Sequence, residues 1–438
     1  MGFEVDQSGR SYYHPRAFYI HLRSELVNED GTPNRAGFPI FMHEYAHLIQ
    51  DRCSIFGVVD FVHFTDSVHS LLQLLHSAAK PIALPLAVRP DASTSWLAEI
   101  ETIRRIANPL KGWKNGVNWA YETHEVKKAI AEYTGDTHEF PVVIGRFADN
   151  ATGDTYEHEI GPREVKEAYS TAVEVLHGGV EVDSPTEFQY LAVERMLARY
   201  GINDHRHRLT ICHWALQDTF PGVRLCEILS RVETLSSLPS PEELYDLCRL
   251  WASESGYNSK LEIADRQLAE IVTNQRGAGE DDLYYKVLKW YYTMAMKSLR
   301  LNMAPERRFP LDTLLGTPRG APIDALAKLF IEQPIPFLET SDSRIYGYGG
   351  SEEGSNMVFF VKCCVAALER LWYLDDTSWK CPLYDTCDPA RIPHKDDECL
   401  VKPWHKGAYH PACAYGAVAK YFGLTDSEFT RAAIGAPR

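Results

Sequence analysis

The chain of 438 residues lacks any uninterrupted apolar stretch of the roughly 18 residues that a membrane-crossing helix needs. Its first residues, MGFEVDQSGRSYYHP, contain no apolar run of the kind a secretory leader carries. Positive charge is not in excess. Against 60 acidic residues stand 45 basic ones, and the net charge of −15 argues against a general affinity for nucleic-acid backbones. Together these absences predict cytoplasmic residence, with neither a membrane nor nucleic acid as a general partner. A Walker phosphate loop, a dinucleotide fingerprint and a nucleophile elbow are also missing, which removes most nucleotide-dependent and serine-hydrolase chemistry. The ten cysteines form no CxxC knuckle, and no internal repeat is visible.

What is present is the balance of a globular protein, 45% hydrophobic and 24% charged, on a chain long enough for two or three domain-sized units. Residues 11–27, SYYHPRAFYIHLRSELV, alternate in part and predict a strand or hairpin arm. A helical pattern begins at Phe38 and runs to about Phe56, where Gly57 predicts a stop; a second helix is expected over 58–79. Between 81 and 155 the pattern predicts helices at 95–107 and 123–133 and a strand in FPVVIGRFA. Beyond Gly161 it is predominantly helical for some 210 residues, with YGYGGSEEGSN at 346–356 as a flexible loop. The fold class expected is mainly α (α+β), with a small N-terminal β element and a large helical body.

The first helix carries FPIFMHEYAHLIQDRC, in which His43, Glu44 and His47 make the HExxH spacing. Residues four apart project from one face of a helix, so two imidazoles can reach one Zn²⁺ about 2 Å away. Glu44, beside the first ligand, can take a proton from water whose pKa the metal lowers toward about 7. His43, His47, Gln50 and Ser54 recur as a polar stripe apart from the apolar one formed by Phe41, Tyr45, Leu48 and Ile49. That pattern suits a cleft-facing strip better than a pair of core histidines.

A catalytic zinc usually takes three protein ligands. Six residues after His47, where the metzincin subclass needs a histidine, stands Cys53. His63, Asp66 and His69 are near in sequence. Downstream, GPREVKEAYSTAVEVLHGG predicts a helix with Glu167 and Glu174 on one side and Ala168, Ser170 and Ala172 permitting close approach. Composition leaves these candidates open.

The pairing of HEYAHLIQD with this glycine-led, glutamate-bearing helix resembles a pattern in poorly characterised bacterial zincin-like proteins. The resemblance covers about residues 38–225 and implies a gluzincin-like zinc metallopeptidase with Glu167 as third ligand. It leaves the orienting groups in doubt, since Ser170 and Thr171 stand near where familiar gluzincins carry an Asp; Asp51 is a candidate. His158 and Tyr169 are candidates for the oxyanion donor.

The C-terminal segment from Trp379 holds Cys381, Cys387, Cys399 and Cys413 among Pro, Asp and three histidines, His394, His405 and His410. A loop-rich stretch with little apolar content needs a staple, and four thiolates on a second, structural Zn²⁺ would supply one. Cys363 and Cys364 lie in an apolar helical run and read as core.

The organisation expected is a zincin-like catalytic region over 1–235, a helical region over 236–372 and a Cys/His-rich segment over 373–438. The function expected is hydrolysis of a protein or peptide substrate, restrained by a regulatory protein partner, with bacterial stress or anti-phage defence as an extension. The alternative is a metal-stabilised interaction protein without hydrolytic activity.

Overall fold

The computed structural model describes residues 11–14, 18–26, 28, 34, 36–78, 80–84, 86, 118–133, 136–178, 188–276, 282–318, 323–340, 345–348, 352–373, 377–384, 387, 395–408 and 413–431. Among them helix predominates and the sheets are small, the mainly α arrangement expected.

Strands β1 (Tyr12–His14) and β2 (Tyr19–Leu22) form the N-terminal hairpin, Tyr13 opposite Ile20. Helices α1 (Gly37–Cys53) and α2 (Ile55–Ser77) follow. The break between them falls at Ser54 rather than at Gly57. Ser54 is extended, its hydroxyl donates to the Gln50 carbonyl at 2.6 Å and accepts the Gly57 N–H at 2.9 Å, so it caps the second helix. Gly57 lies inside α2 because a Cβ there would stand 2.6 Å from the Asp51 backbone. It permits close approach and does not act as a stop.

Next come β3 (Ile82–Leu84) and an antiparallel meander of β4 (Trp119–Tyr133), β5 (Asp136–Asp149) and β6 (Thr155–Ile160). Here the helix expected at 123–133 is overturned: those residues are the outer part of β4. Val126, Ala129 and Ile130 happen to fall at helical spacing, but each pairs across to β5, Val126 opposite Val143 and Ile130 opposite Glu139. The ladder satisfies backbone groups along the whole hairpin, while Val126 and Ile130 stay about half exposed, at 49% and 52%. The FPVVIGRFA strand lies within β5. The helix expected at 95–107 falls outside the described residues.

Helices then succeed one another: α3 (Pro162–Gly178), α4 (Phe188–Arg199), α5 (His205–Ala215), α6 (Pro221–Glu233), α7 (Pro241–Glu254), α8 (Tyr257–Arg276), α9 (Leu283–Asn302), α10 (Leu311–Gly316) and α11 (Ala327–Glu332). Strands β7 (Ile335–Thr340) and β8 (Ile345–Tyr348) interrupt them, and α12 (Glu352–Tyr373) follows. The loop expected at 346–356 is thus corrected at both ends, its start belonging to β8 and its end to α12. The C-terminal segment has two 3-10 turns, α13 (Ala414–Tyr421) and β9 (Phe429–Arg431).

Two long-range pairings join distant parts. β2 runs parallel to β7, Tyr19 opposite Phe337, giving the order β1-β2-β7-β8; β3 pairs in parallel with β9. One hydrophobic core reaches from Tyr13 to Phe429. Helix α1 lies within it: Tyr45 donates its hydroxyl to the Gln333 carbonyl at 2.7 Å, and Arg52, fully buried, donates to the Pro334 carbonyl at 2.6 Å with its guanidinium 4.7 Å from the Trp290 ring. Among the described residues no helix is long and apolar enough to cross a membrane.

Candidate metal centre

Helices α1 and α3 pack side by side, and their contact builds the site. At one end Gly178 lies against the Pro39 ring, where a Cβ would come within 2.8 Å of the Pro39 Cβ. At the other, Lys166 forms an ion pair with Asp51 at 2.6 Å. Between them, Gln50 donates to the Lys166 carbonyl at 2.9 Å and to the Ser170 hydroxyl at 3.0 Å. The small side chain of Ser170 lets the helices approach closely enough for these bonds.

This packing brings His43, His47 and Glu167 together, with one donor atom of each within 4.8 Å of the others. Glu167 Oε2 stands 3.3 Å from His43 Nε2 and 3.5 Å from His47 Nε2. Neither contact has hydrogen-bond alignment, and Oε2 is buried without a hydrogen-bond partner. Two donors about 2.0 Å from one ion at a tetrahedral angle lie about 3.3 Å apart. The separations therefore match those of ligands to a common ion. Of the candidates left open by sequence, Glu167 is the one in place. His63, Asp66 and His69 are not part of this group; His69 lies 3.5 Å from Gln275 on α8.

The outer nitrogens of both rings are engaged. His43 Nδ1 is 2.9 Å from Glu174 Oε2, and His47 Nδ1 is 2.9 Å from Gln50 Oε1 and 3.2 Å from the Ser170 hydroxyl. With Nδ1–H donating outward, each Nε2 keeps its lone pair for the interior of the site. Asp51, the orienting group suggested by sequence, instead pairs with Lys166 and locks the helices. Glu174 does the orienting for His43. The sequence offered a signal for it, since it follows Glu167 by two helical turns on the same face.

Burial disfavours a proton on His43, but the Glu167 and Glu174 carboxylates outweigh it and raise the pKa well above the usual value. Burial by itself would raise the Glu167 pKa; the two histidines override it and hold its carboxyl far below the ordinary range. Glu44 is raised, chiefly by burial, although His43 and His47 act in the opposite sense and the Tyr13 backbone N–H bonds its carboxylate. Glu44 is thus a buried carboxylate beside the donor trio, steadied by strand β1. Of the two suggested oxyanion donors, Tyr169 is buried with its ring 6.4 Å from His213 in the core, and His158 is paired with Glu164 at 3.2 Å.

None of the ten cysteines, the four C-terminal ones included, is in a disulfide. Cys381 N–H bonds the Cys399 carbonyl at 2.8 Å. No three of their sulfurs lie within the 4.8 Å that the histidine–glutamate trio meets. Cys363 and Cys364 are fully buried in α12.

No protein-family model matches the chain, no curated protein matches it, and no solved structure matches its fold.

Proposed function

We propose that this chain is a zinc-dependent metallopeptidase with a zincin-like core, in which His43, His47 and Glu167 hold Zn²⁺ and Glu44 handles protons. The observation that carries it is the convergence of two imidazole nitrogens and one orphaned, buried carboxylate oxygen at ligand separations. Two nitrogens and one oxygen are the donor set of a catalytic rather than a closed structural zinc site. Bound there, zinc would act as a Lewis acid and lower the pKa of a coordinated water toward about 7.

The protein groups then divide the remaining work. Glu44 removes a proton from the attacking water and delivers it to the leaving amine; its raised pKa suits a group that must both take and give. Glu174 and the Gln50–Ser170 pair fix the two ring orientations. Strand β1 supports a peptide as substrate. Among the described residues it stands last in its sheet, and Tyr13 turns its N–H toward Glu44 while its ring stacks on His47 at 6.3 Å. An extended chain laid along such an edge is held by main-chain hydrogen bonds.

The test is elemental analysis of purified wild type and Glu44→Gln, with cleavage of a proteome-derived peptide library. Zinc is expected in both, and cleavage should fall by about 10²–10⁴-fold in the variant. Zinc retained with no cleavage by wild type would favour the metal-stabilised interaction protein, and no metal at all would overturn the site.

A further inference from the structure

We propose that the cavity between β4 and the C-terminal ends of α4 and α6 binds a small zwitterion, an amino acid with an apolar side chain. The cavity measures about 410 Å³, within the roughly 300–1,000 Å³ of small-molecule sites. It shares no residue with the group of His43, His47 and Glu167. A break in the alternation of β4 builds one wall. Tyr121 pairs with Phe147 and Thr123 with Arg146, so Glu122 is an extra residue and the strand bulges there. Four consecutive residues, 121–124, line the cavity as a result, where a regular strand would turn every second one away.

The bulge also lets Tyr121 meet His124, with the tyrosine hydroxyl 2.5 Å from His124 Nδ1. Residues three apart on a regular strand face opposite ways. Tyr121 is buried and its ring packs edge-on against Phe147 at 5.6 Å, which fixes this wall from behind. Its hydroxyl faces that of Tyr200, the residue after α4. A second wall is apolar, formed by Val232, Leu235 and Leu238, and Leu238 is 38% exposed.

The charges decide the class of ligand. Glu122 is matched by Arg146 at 3.3 Å. His124 is half-buried, and burial lowers its pKa, which keeps the ring neutral near physiological pH. That leaves one cation, Arg199, and one anion, Glu233. They form no ion pair with each other or with another side chain among the described residues. Burial raises the Tyr200 pKa, Glu233 adds to the shift and Arg199 opposes it, so both charges act on the same hydroxyl. A ligand of a single charge would leave one of them unmatched. A carboxylate on Arg199 and an ammonium on Glu233 match both, and the ammonium then lies at the C-terminal end of α6, where the helix dipole favours positive charge. An apolar side chain covers Val232, Leu235 and Leu238 and removes their surface from water.

Isothermal titration of the full-length protein with L-leucine tests this. Saturable binding with a Kd at or below about 1 mM is expected. Isopentylamine, which lacks the carboxylate, and 4-methylpentanoate, which lacks the ammonium, should each bind wild type about 10- to 100-fold more weakly. L-leucine should lose about as much affinity for Arg199→Ala and for Glu233→Ala. Both side chains are exposed, so the two variants should keep the wild-type Tm, and the two analogues test the same charges on unaltered protein. Glycine, without an apolar side chain, should bind about tenfold more weakly than leucine. Absence of saturable L-leucine binding overturns the site, as does binding that neither the substitutions nor the loss of either ligand charge weakens.

Discussion

His43 and His47 are held by different partners, an anionic carboxylate for the first and a neutral amide with a hydroxyl for the second. Removing Glu174 takes away the charged orienter of His43, so Glu174→Ala should weaken zinc binding by about 10- to 100-fold, and Gln50→Ala by less, in competition titrations. The same carboxylates make protons compete with the metal. Since the pKa of His43 is raised in the metal-free chain, apparent zinc affinity should already fall as pH drops toward about 6.5. The sign for stability is opposite. A raised folded-state pKa stabilises the metal-free protein fully below the unfolded value near 6.5, and that contribution is lost as pH rises through the folded value. Chelated protein should therefore lose Tm toward alkaline pH while zinc-loaded protein does not. His43, Glu44 and His47 were legible in the sequence because they act from one local spacing. Glu174 was legible as a carboxylate on the face of Glu167, but its pairing with His43 was not, because that partner lies on another helix.

At the scale of elements, the site depends on how closely α1 approaches α2 and α3. A methyl group at Gly57 meets the Asp51 backbone at 2.6 Å and has no flexible neighbour to displace, so Gly57→Ala should cost about 1–3 kcal/mol in urea unfolding. Lys166 and Asp51 form their ion pair where both are mostly buried. Lys166→Met strands the Asp51 carboxylate and should cost about 3 kcal/mol, more than the double replacement with Asp51→Leu, in a double-mutant cycle. Helices α1, α2 and α3 were readable from apolar spacing, although the boundary between the first two was not. The error at 123–133 is instructive: Val126, Ala129 and Ile130 satisfy a helical period, and only the strand opposite decides that they form β4. The boundary between α1 and α2 shows a second limit, since Gly57 reads as a stop until the backbone it touches is known, and the break falls at Ser54.

At the scale of the molecule, the proposed ion on His43, His47 and Glu167 would join two helices separated by more than a hundred residues. It would bind only when they are packed. Chelation should therefore lower Tm, removing about 4 kcal/mol of stability at a free-metal concentration 1,000 times Kd. The His43→Ala/His47→Ala protein should lose that part of the response to chelator in a thermal melt. The sequence alone determined which residues can donate to a metal, because donor chemistry and the four-residue helical spacing are local properties. It also determined the mainly helical class, because apolar periodicity is local. Tertiary structure alone decided that Glu167 meets the two histidines, that Glu174 steadies one of them, and that β2 pairs with β7 from the far end of the chain. Each of those outcomes is set by the packing of surfaces distant in sequence, and spacing along a chain carries no measure of that distance.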